Sequence, residues 1–398
     1  MLEAAIGEVT RLDLTPGIPV GEFKQFINKI YQLGASDIKL QSNDFVWADI
    51  NRTWRPVSTR RLESQEVDRA ITILNDQSAL GLIGSGQPVD ARVDLALTAE
   101  EVNEFRLNVT GCMVNGARDG ASITLRAIPK AIPSLELLGI EKEIVDNLFP
   151  RYGLILVVGT TGSGKSTLQA AANAHRLRHR RHDPVAILTY EDPIEYSLAG
   201  LAEGHMPEPS QVGIGPGQHL REFDLVGPNA MRRRGDVIVM GEIRDLNSAK
   251  AGSEMSRTGH AVQATMHVDT PGESFDRLIK FYPPEQQAGE AYALLSQLRM
   301  VVAQKLARRK DGGKIAFRSW VVVDKALRTH LGEAPPSHWS RMVHAYVASR
   351  GQDFETSAYR ALCSDQITGE VFREIAGLTP EEALAYVTER NGDVSLLG

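Results

Sequence analysis

The stretch "LILVVGTTGSGKSTLQAAA" (residues 154–172) joins an apolar run to a glycine-rich turn and then to a helical pattern. The spacing G-x-x-x-x-G-K-[ST] is filled by Gly159, Gly164, Lys165 and Ser166. The apolar run before the turn is typical of a buried strand, and the residues after it are typical of a helix start. A strand, a glycine turn and a helix in this order predict a phosphate-binding loop.

The residue types in this loop suit a nucleotide and its metal ion. Glycines allow backbone N–H groups to wrap around phosphates, and the Lys165 ammonium neutralises charge on the β- and γ-phosphates. The Ser166 hydroxyl can ligate Mg²⁺. The alternative is a glycine turn with a surface lysine, which the strand before the turn and the helix after it make less favourable.

Two groups of acidic residues follow apolar runs further along the chain. Glu242 comes after the run in "DVIVMGEIRD" (residues 236–245), at the end of a predicted strand. The second group, in "TYEDPIEY" (residues 189–196), contains Glu191, Asp192 and Glu195. Since the carboxyl ends of parallel strands line a ligand crevice, one of these acids can orient or deprotonate an attacking water. For the second group, the alternative is a polar turn stiffened by Pro193.

The stretch "TGHAVQATMH" (residues 258–267) has a histidine at each end of an apolar run. An imidazole from His260 or His267 can contact a γ-phosphate or relay its loss, because histidine changes charge near neutral pH. Two ordinary strand-end histidines are the alternative. The sequence offers no third ligand nearby, so the pair does not predict a metal site.

Length and composition set broad limits. The chain has 398 residues, 42% of them hydrophobic and 24% charged, which is typical of a globular protein with more than one domain. The net charge of -6 argues against a protein that coats nucleic acid. Cys112 and Cys363 are the only cysteines, so neither a disulfide framework nor a zinc site is predicted. No window approaches the roughly 20 apolar residues of a membrane-spanning helix.

A proline-rich segment divides the chain into two parts. Before it, a helical pattern and several strand-like runs predict a small α+β domain. Pro129 and Pro133 interrupt regular structure, and we place the boundary near Lys130. Beyond it, alternating apolar runs and helical stretches predict a doubly wound domain of parallel βαβ units.

The last part of the chain has a mostly helical pattern. We expect a helix over "EAYALLSQLRMVVAQKLARR" (residues 290–309). A final helix is predicted to begin with a capping box formed by Thr379, Pro380 and Glu382.

Two groups of arginines are candidates for contacts with nucleic acid or with a nucleotide phosphate. The basic stretch after the loop helix contains Arg176, Arg178, Arg180 and Arg181. A solvated helix end explains this stretch better than a nucleic-acid patch, because cations favour helix C-termini. An arginine supplied by a neighbouring copy can also stabilise charge on a transferring phosphate. Spacing alone does not choose among Arg106, Arg126, Arg232, Arg244 and Arg277.

Taken together, four ordered motifs resemble the Walker A, Asp box, Walker B and His box of secretion ATPases of the PilT and GspE type. They are "GTTGSGKST", "TYEDPIEY", "DVIVMGEIRD" and "TGHAVQATMH". "GASDIKL" (residues 34–40) is similar to the Ala-Ser-Asp motif of the family's N-terminal domain, although Lys39 stands where a histidine is usual. "IPSLELLGI" and "FYPPEQQ" look closest to the DotB and TraJ branch, which serves type IVB secretion and plasmid conjugation.

The resemblance implies an α/β fold and an assembly. A PAS-like N-terminal α+β domain would span residues 20–129, a linker residues 130–136, and a RecA-like P-loop NTPase domain with a helical C-terminal tail residues 137–398. A hexameric ring would use ATP hydrolysis to drive rigid-body motion between the domains. ATP and Mg²⁺ are the cofactors that the resemblance implies.

The resemblance also implies roles for single residues. The nucleotide would contact Gly159, Thr160, Thr161, Gly162, Ser163, Gly164, Lys165, Ser166 and Thr167, with Ser166 also on Mg²⁺. Glu195 and Glu242 would position or activate water, and His260 would sense the γ-phosphate. Arg106 and Arg126 match N-domain positions that reach the nucleotide.

The expected function is an ATPase that powers type IV secretion, conjugative transfer or pilus dynamics. It would act at the cytoplasmic face of the inner membrane, as a peripheral partner of secretion or conjugation machinery, without binding nucleic acid directly. The alternatives are a type IV pilus assembly or retraction motor of the same superfamily, a nucleic-acid-translocating P-loop motor and a P-loop kinase.

Overall fold

The computed structural model describes residues 11–50, 53–96, 102–114, 118–128, 131–179, 184–202, 207–215 and 219–397. The chain forms two compact units. The first comprises Met1–Ala131, Asp192–Ser197 and Gly213–Arg221, and the second comprises Ile132–Glu191, Leu198–Val212 and Glu222–Gly398. The proposed boundary residues Pro129 and Lys130 lie outside the described residues. No sequence pattern predicts that the two later segments group with the first unit.

The first unit is an antiparallel sheet with helices. In chain order its described elements are α1 (Val20–Gln32), β1 (Ala35–Gln41), β2 (Phe45–Ile50), β3 (Thr53–Arg61), α2 (Ser64–Leu74), α3 (Ser78–Gly84), β4 (Val89–Ala96), β5 (Val102–Val114) and β6 (Arg118–Ala127). The strands lie in the order β3-β2-β1-β6-β5-β4, and every neighbouring pair is antiparallel.

The alternation of apolar and polar residues along the strands determines which face of this sheet packs into the core. Ile38, Leu107 and Leu125 belong to the buried core, whereas their chain neighbours face the other side. The helix α1 adds Phe23, Phe26, Ile27 and Ile30 to the core, at the spacing of one helical face. The opposite face carries mostly polar side chains, together with the half-buried aromatic rings of Phe45 and Trp47.

The second unit contains a mostly parallel sheet and a helical C-terminal region. Its described elements are α4 (Lys142–Asn147), β7 (Gly153–Val158), α5 (Lys165–His179), β8 (Ile187–Glu191), β9 (Ser210–Gly213), α6 (Val226–Arg232), β10 (Val237–Met240), α7 (Leu246–Arg257), β11 (Ala261–Met266), α8 (Pro271–Lys280), α9 (Pro284–Gln297), β12 (Leu298–Arg308), β13 (Lys314–Val322), α10 (Lys325–Gly332), α11 (Trp339–Ser349), α12 (Phe354–Cys363), α13 (Gly369–Ala376) and α14 (Pro380–Glu389).

The seven strands of the second unit lie in the order β13-β12-β7-β11-β10-β8-β9. The central pairs are parallel, and β13 runs antiparallel to β12. Every residue of β7, β10 and β11 is buried, as expected for parallel strands covered on both faces. The predicted parallel α/β arrangement is therefore present.

The helical prediction for residues 290–309 is wrong in its second half. The helix α9 ends at Gln297, and the next residues form β12, which pairs with β7 and β13. An apolar run that includes the β-branched pair Val301 and Val302 fits a buried strand as well as a helix, and strand pairing decides between them.

The capping box at the last helix is confirmed. The Glu382 N–H donates to Thr379 Oγ1 at 3.2 Å, and the Thr379 N–H donates to Glu382 Oε2 at 2.8 Å. Of the helices in the described ranges, none combines the length and the apolar character that crossing a membrane requires.

Candidate nucleotide-binding site

The phosphate-binding loop lies between the end of β7 and the start of α5. Gly159, Gly162 and Gly164 have φ angles of 148°, 79° and 86°, a region that residues with side chains avoid. A Cβ atom on Gly159 would lie 2.4 Å from the carbonyl oxygen of Gln304, and one on Gly164 would lie 2.7 Å from Gln304 Nε2. The loop therefore needs glycine both for its backbone shape and for its close approach to β12.

Lys165 is held within this loop. Its Nζ donates to the carbonyl oxygens of Gly159 at 2.8 Å and Thr160 at 2.9 Å, and the residue is 8% exposed. Ser166 and Thr167 follow in the first turn of α5, where N–H groups have no partner inside the helix and attract anions. The glycine cradle, the ammonium and the helix start fit a nucleotide phosphate.

The carboxyl edge of the sheet brings other candidates to the side of this loop. Along the strand order β7-β11-β10-β8, the loop follows β7, His267 follows β11, Glu242 follows β10, and Glu191 ends β8. The register pairs Val158 with Met266, so His267 lies beside the first residue of the loop. Four neighbouring strands thus contribute to one edge.

Glu242 and His267 are close enough to interact. Glu242 Oε2 lies 3.8 Å from His267 Nε2, and the two side chains are 34% and 44% exposed. This separation allows a water molecule to bridge the two groups, and their exposure leaves them open to a ligand. On β8, Glu191 Oε1 accepts a hydrogen bond from Gln211 Nε2 at 3.4 Å.

His260 is not brought to this edge. It precedes β11, and its carbonyl oxygen accepts a hydrogen bond from the N–H of Gly153, the first residue of β7. Its Nδ1 lies 2.5 Å from the carbonyl oxygen of Gly235. The whole length of β11 separates His260 from the phosphate-binding loop. The structure thus places His267, and not His260, beside the phosphate-binding loop.

A second group of candidates lies on the polar face of the first unit's sheet. In register, Arg106 on β5 stands between Arg92 on β4 and Arg126 on β6, and Asp37 on β1 stands next to Arg126. Directly opposite residues of antiparallel strands point to the same face, and like charges placed opposite each other repel. Three aligned arginines therefore need carboxylates or another anion beside them.

Each of these arginines has a carboxylate partner. The distances are 2.7 Å from Arg126 Nε to Asp37 Oδ1, 2.8 Å from Arg106 Nη1 to Glu195 Oε1, and 2.8 Å from Arg92 Nη2 to Glu104 Oε1. Arg92 was missed by the sequence reasoning. The alternation of apolar and polar residues in "VDARVDL" indicates that Arg92 points away from the core. Only the strand register shows that Arg92 aligns with Arg106.

The acidic stretch that contains Glu195 divides between the two units. Glu191 ends β8 in the second unit, whereas Asp192–Ser197 group with the first. Within the first unit, the Glu195 carboxylate accepts a hydrogen bond from Arg106. Activation of water by Glu195, like activation by Glu242, therefore stays a prediction.

Arg232 is exposed at the end of α6, and the other two arginine candidates make local contacts. Arg244 lies over the Phe223 ring at 5.6 Å and Arg277 over the Phe281 ring at 5.0 Å. Arg176 is 3% exposed and lies 5.7 Å from the centre of the Phe149 ring, so the expectation of a solvated helix end is wrong for this residue. Arg180 and Arg181 lie outside the described residues.

Comparison with known proteins agrees with this geometry. Residues 17–332 match the family described as Type II/IV secretion system protein. The type IV pilus retraction ATPase PilT of Pseudomonas aeruginosa is 30% identical over 310 residues, which are 75% of this chain and 82% of PilT. An uncharacterised protein of Escherichia coli, YggR, is 33% identical over 61% of this chain and 68% of its own length.

Solved structures show the same likeness. The ATPase DotB of Legionella pneumophila is similar with a TM-score of 0.85 and 27% identity, over 93% of this chain and 99% of that one. The pilus retraction motor PilT with bound ADP has a TM-score of 0.75 and 25% identity, over 90% of this chain and 98% of that one. These findings confirm the predicted α/β fold, with an N-terminal domain and a RecA-like ATPase domain, and the predicted class of secretion and pilus ATPases. The chain belongs to the Type II/IV secretion system protein family.

Proposed function

We propose that this chain hydrolyses ATP and that hydrolysis powers a secretion or pilus apparatus. The observation that carries the proposal is the carboxyl edge, where the phosphate-binding loop, His267 and Glu242 follow three neighbouring strands. Hydrolysis requires a cradle for the phosphates and a carboxylate that water can reach. Both requirements are met within the second unit.

The loop residues 159–167 would hold ATP. The Lys165 ammonium would interact with the β- and γ-phosphates in place of the loop carbonyl oxygens that it now contacts. The Ser166 hydroxyl would ligate Mg²⁺, which supplies positive charge to the phosphates when it is bound.

Glu242 would orient or deprotonate the attacking water. Its carboxylate is partly exposed, and the His267 imidazole lies 3.8 Å away, beyond direct hydrogen-bond distance. His267 would report the presence of the γ-phosphate, since it follows the strand next to the loop. We assign to His267 the role that the resemblance gave to His260.

The arginine row, formed by the aligned Arg92, Arg106 and Arg126, would act on the nucleotide of a neighbouring copy in a hexameric ring. Arg106 and Arg126 carry this proposal, and their alignment with Arg92 adds a third cation. A phosphate oxygen would replace the carboxylate partner of an arginine, because charge-assisted bonds to phosphate are strong. In this view Glu195 holds Arg106 in position until a phosphate replaces it.

The apparatus would be a type IV secretion or conjugation system, with the ATPase at the cytoplasmic face of the inner membrane. The TM-score to DotB, 0.85 against 0.75 for PilT, supports this choice, and a pilus motor is the alternative because PilT matches the chain at 30% identity. A transfer assay tests it: a strain that carries only the Lys165→Ala variant should lose substrate transfer. Normal transfer by a hydrolysis-deficient variant would contradict the proposal.

Phosphate release by the purified full chain tests the activity itself. With ATP and Mg²⁺ we expect free phosphate, and we expect Lys165→Ala to abolish its release while the protein stays folded. Light scattering after size exclusion, with and without nucleotide, tests the ring. An active enzyme that is strictly monomeric contradicts the ring, and a phosphorylated acceptor in place of free phosphate indicates a kinase.

A further inference from the structure

Gln304 supports the phosphate-binding loop from the adjacent strand. Its Nε2 donates to the carbonyl oxygen of Ser163 at 2.7 Å, and the two residues are 4% and 3% exposed. The same Gln304 lies where Cβ atoms on Gly159 and Gly164 would collide with it. Gln304 therefore approaches the loop with its backbone at Gly159 and with its side chain at Ser163 and Gly164.

Arg318 fixes the orientation of this amide. It stands directly opposite Gln304 in the β12–β13 register, and its Nε donates to Gln304 Oε1 at 2.9 Å. A guanidinium has only donors, so it must face the amide oxygen, and the amide N–H₂ group must then face Ser163. The arginine thereby determines which group Gln304 presents to the loop.

The other donors of Arg318 go to the segment 138–141. They reach the carbonyl oxygens of Leu138 at 2.9 Å and Gly139 at 3.1 Å, and Glu141 Oε2 at 3.2 Å. Arg318 is 2% exposed. Burying a charge is unfavourable even when it is paired, and apolar side chains hold strands together as well or better. A buried arginine that orients the support of a binding loop has a use beyond packing.

We propose that Gln304 and Arg318 are positioning residues that hold the phosphate-binding loop in shape and so set its affinity for nucleoside di- and triphosphates. The proposal rests on the proposed function, because it concerns how strongly the loop binds nucleotide. Neither side chain needs to touch the phosphates. Both act through the backbone at Ser163, whose carbonyl oxygen they hold away from the phosphate side.

Calorimetric titration of the full chain with ADP and Mg²⁺ tests this proposal. We expect Gln304→Met to weaken ADP binding about tenfold, the effect of one lost hydrogen bond to the loop. At saturating ATP the kcat should change little, since the groups around the water are untouched. The KM for ATP should rise in parallel with the Kd for ADP.

Gln297→Met is the matched control. Gln297 is 5% exposed and precedes β12 at the other end of that strand, where its Oε1 accepts hydrogen bonds from Ser253 at 3.0 Å and Ser256 at 2.8 Å. We expect this variant to lower the Tm as Gln304→Met does and to leave ADP affinity unchanged. Equal losses of affinity in the two variants would show a general effect of buried glutamines and overturn the proposal.

Arg318→Lys keeps the experiment informative if Gln304→Met does not fold. Lysine retains the charge beside Glu141 but lacks the Nε donor that orients the amide. Its ADP affinity should fall severalfold, and wild-type affinity would overturn the proposal. If the unmodified chain itself binds no ADP, the proposed function fails. If the unmodified chain and the variants bind ADP equally, only this inference fails.

Discussion

The two sheets of this molecule place their candidate residues by different means. In the seven-stranded sheet, His267 and Glu242 lie just beyond the ends of parallel strands, at one edge. In the six-stranded sheet, Arg106 and Arg126 lie inside antiparallel strands and meet only through the strand register. An edge site is determined by where strands end, whereas a face site is determined by which residues pair. The residues of an edge site can be identified from single motifs, whereas the alignment of residues on a sheet face requires the strand register.

The largest effect is expected at the edge, from Glu242→Gln. The amide keeps the size of the side chain but cannot accept a proton, so kcat for ATP hydrolysis should fall about a thousandfold. ADP affinity should stay unchanged, because the loop is intact. Single-turnover hydrolysis and ADP titration measure the two quantities. Loss of ADP binding together with hydrolysis would place Glu242 in the binding of nucleotide instead.

The second-largest loss of activity is expected from Arg106→Gln, on the face of the six-stranded sheet. Removal of one charged donor near the developing phosphate charge should lower kcat about a hundredfold. Arg69→Gln is the control, because Arg69 is exposed on α2 of the same unit and outside the row. Steady-state hydrolysis by the two variants should differ by that factor.

Mixing Arg106→Gln with Lys165→Ala tests whether the arginine acts on a neighbour. The first variant has an intact loop and the second an intact arginine, so mixed rings should regain part of the activity that each variant lacks alone. If mixed rings recover no activity, Arg106 either acts on the nucleotide of its own chain or only stabilises the fold.

A smaller effect is expected from the two histidines, which lie at opposite ends of one strand. His267→Ala should lower kcat about tenfold, because it removes a contact beside the loop that only a γ-phosphate would make. His260→Ala should change kcat less than twofold, since its ring faces the Gly235 carbonyl oxygen at the other edge. Steady-state hydrolysis compares them, and the reverse order would restore the original assignment.

The histidines also show what the sequence can and cannot predict. The motif predicted a strand with a histidine at each end, and the strand is β11. Which end meets the loop follows once the strands are known to be parallel, since the loop comes after β7 and therefore lies at the carboxyl edge. Glu242 was identified because it follows a strand, and this position holds in the structure.

Long-range pairing explains the failures of the sequence reasoning. The alignment of Arg92 with Arg106 depends on the β4–β5 register, which no local pattern contains. The apolar run of β12 fits the period of a helix as well as that of a strand, and only its pairing with β7 decides between the two. The support of the loop by Gln304 depends on that same strand, so it was missed for the same reason.

A small effect is also expected from Glu195→Gln, which tests whether Glu195 activates water as Glu242 is proposed to do. If Glu195 activated the water, Glu195→Gln would lower kcat about a thousandfold, as expected for Glu242→Gln. The structure instead pairs Glu195 with Arg106 at 2.8 Å, with both side chains more than a third exposed. Such pairs contribute only about 1 kcal/mol or less, so hydrolysis should change by at most about fivefold. The amide oxygen can still accept from Arg106, which keeps the arginine in place. Hydrolysis assays of Glu195→Gln and Glu242→Gln side by side make the comparison, and equal losses would return Glu195 to the role of general base.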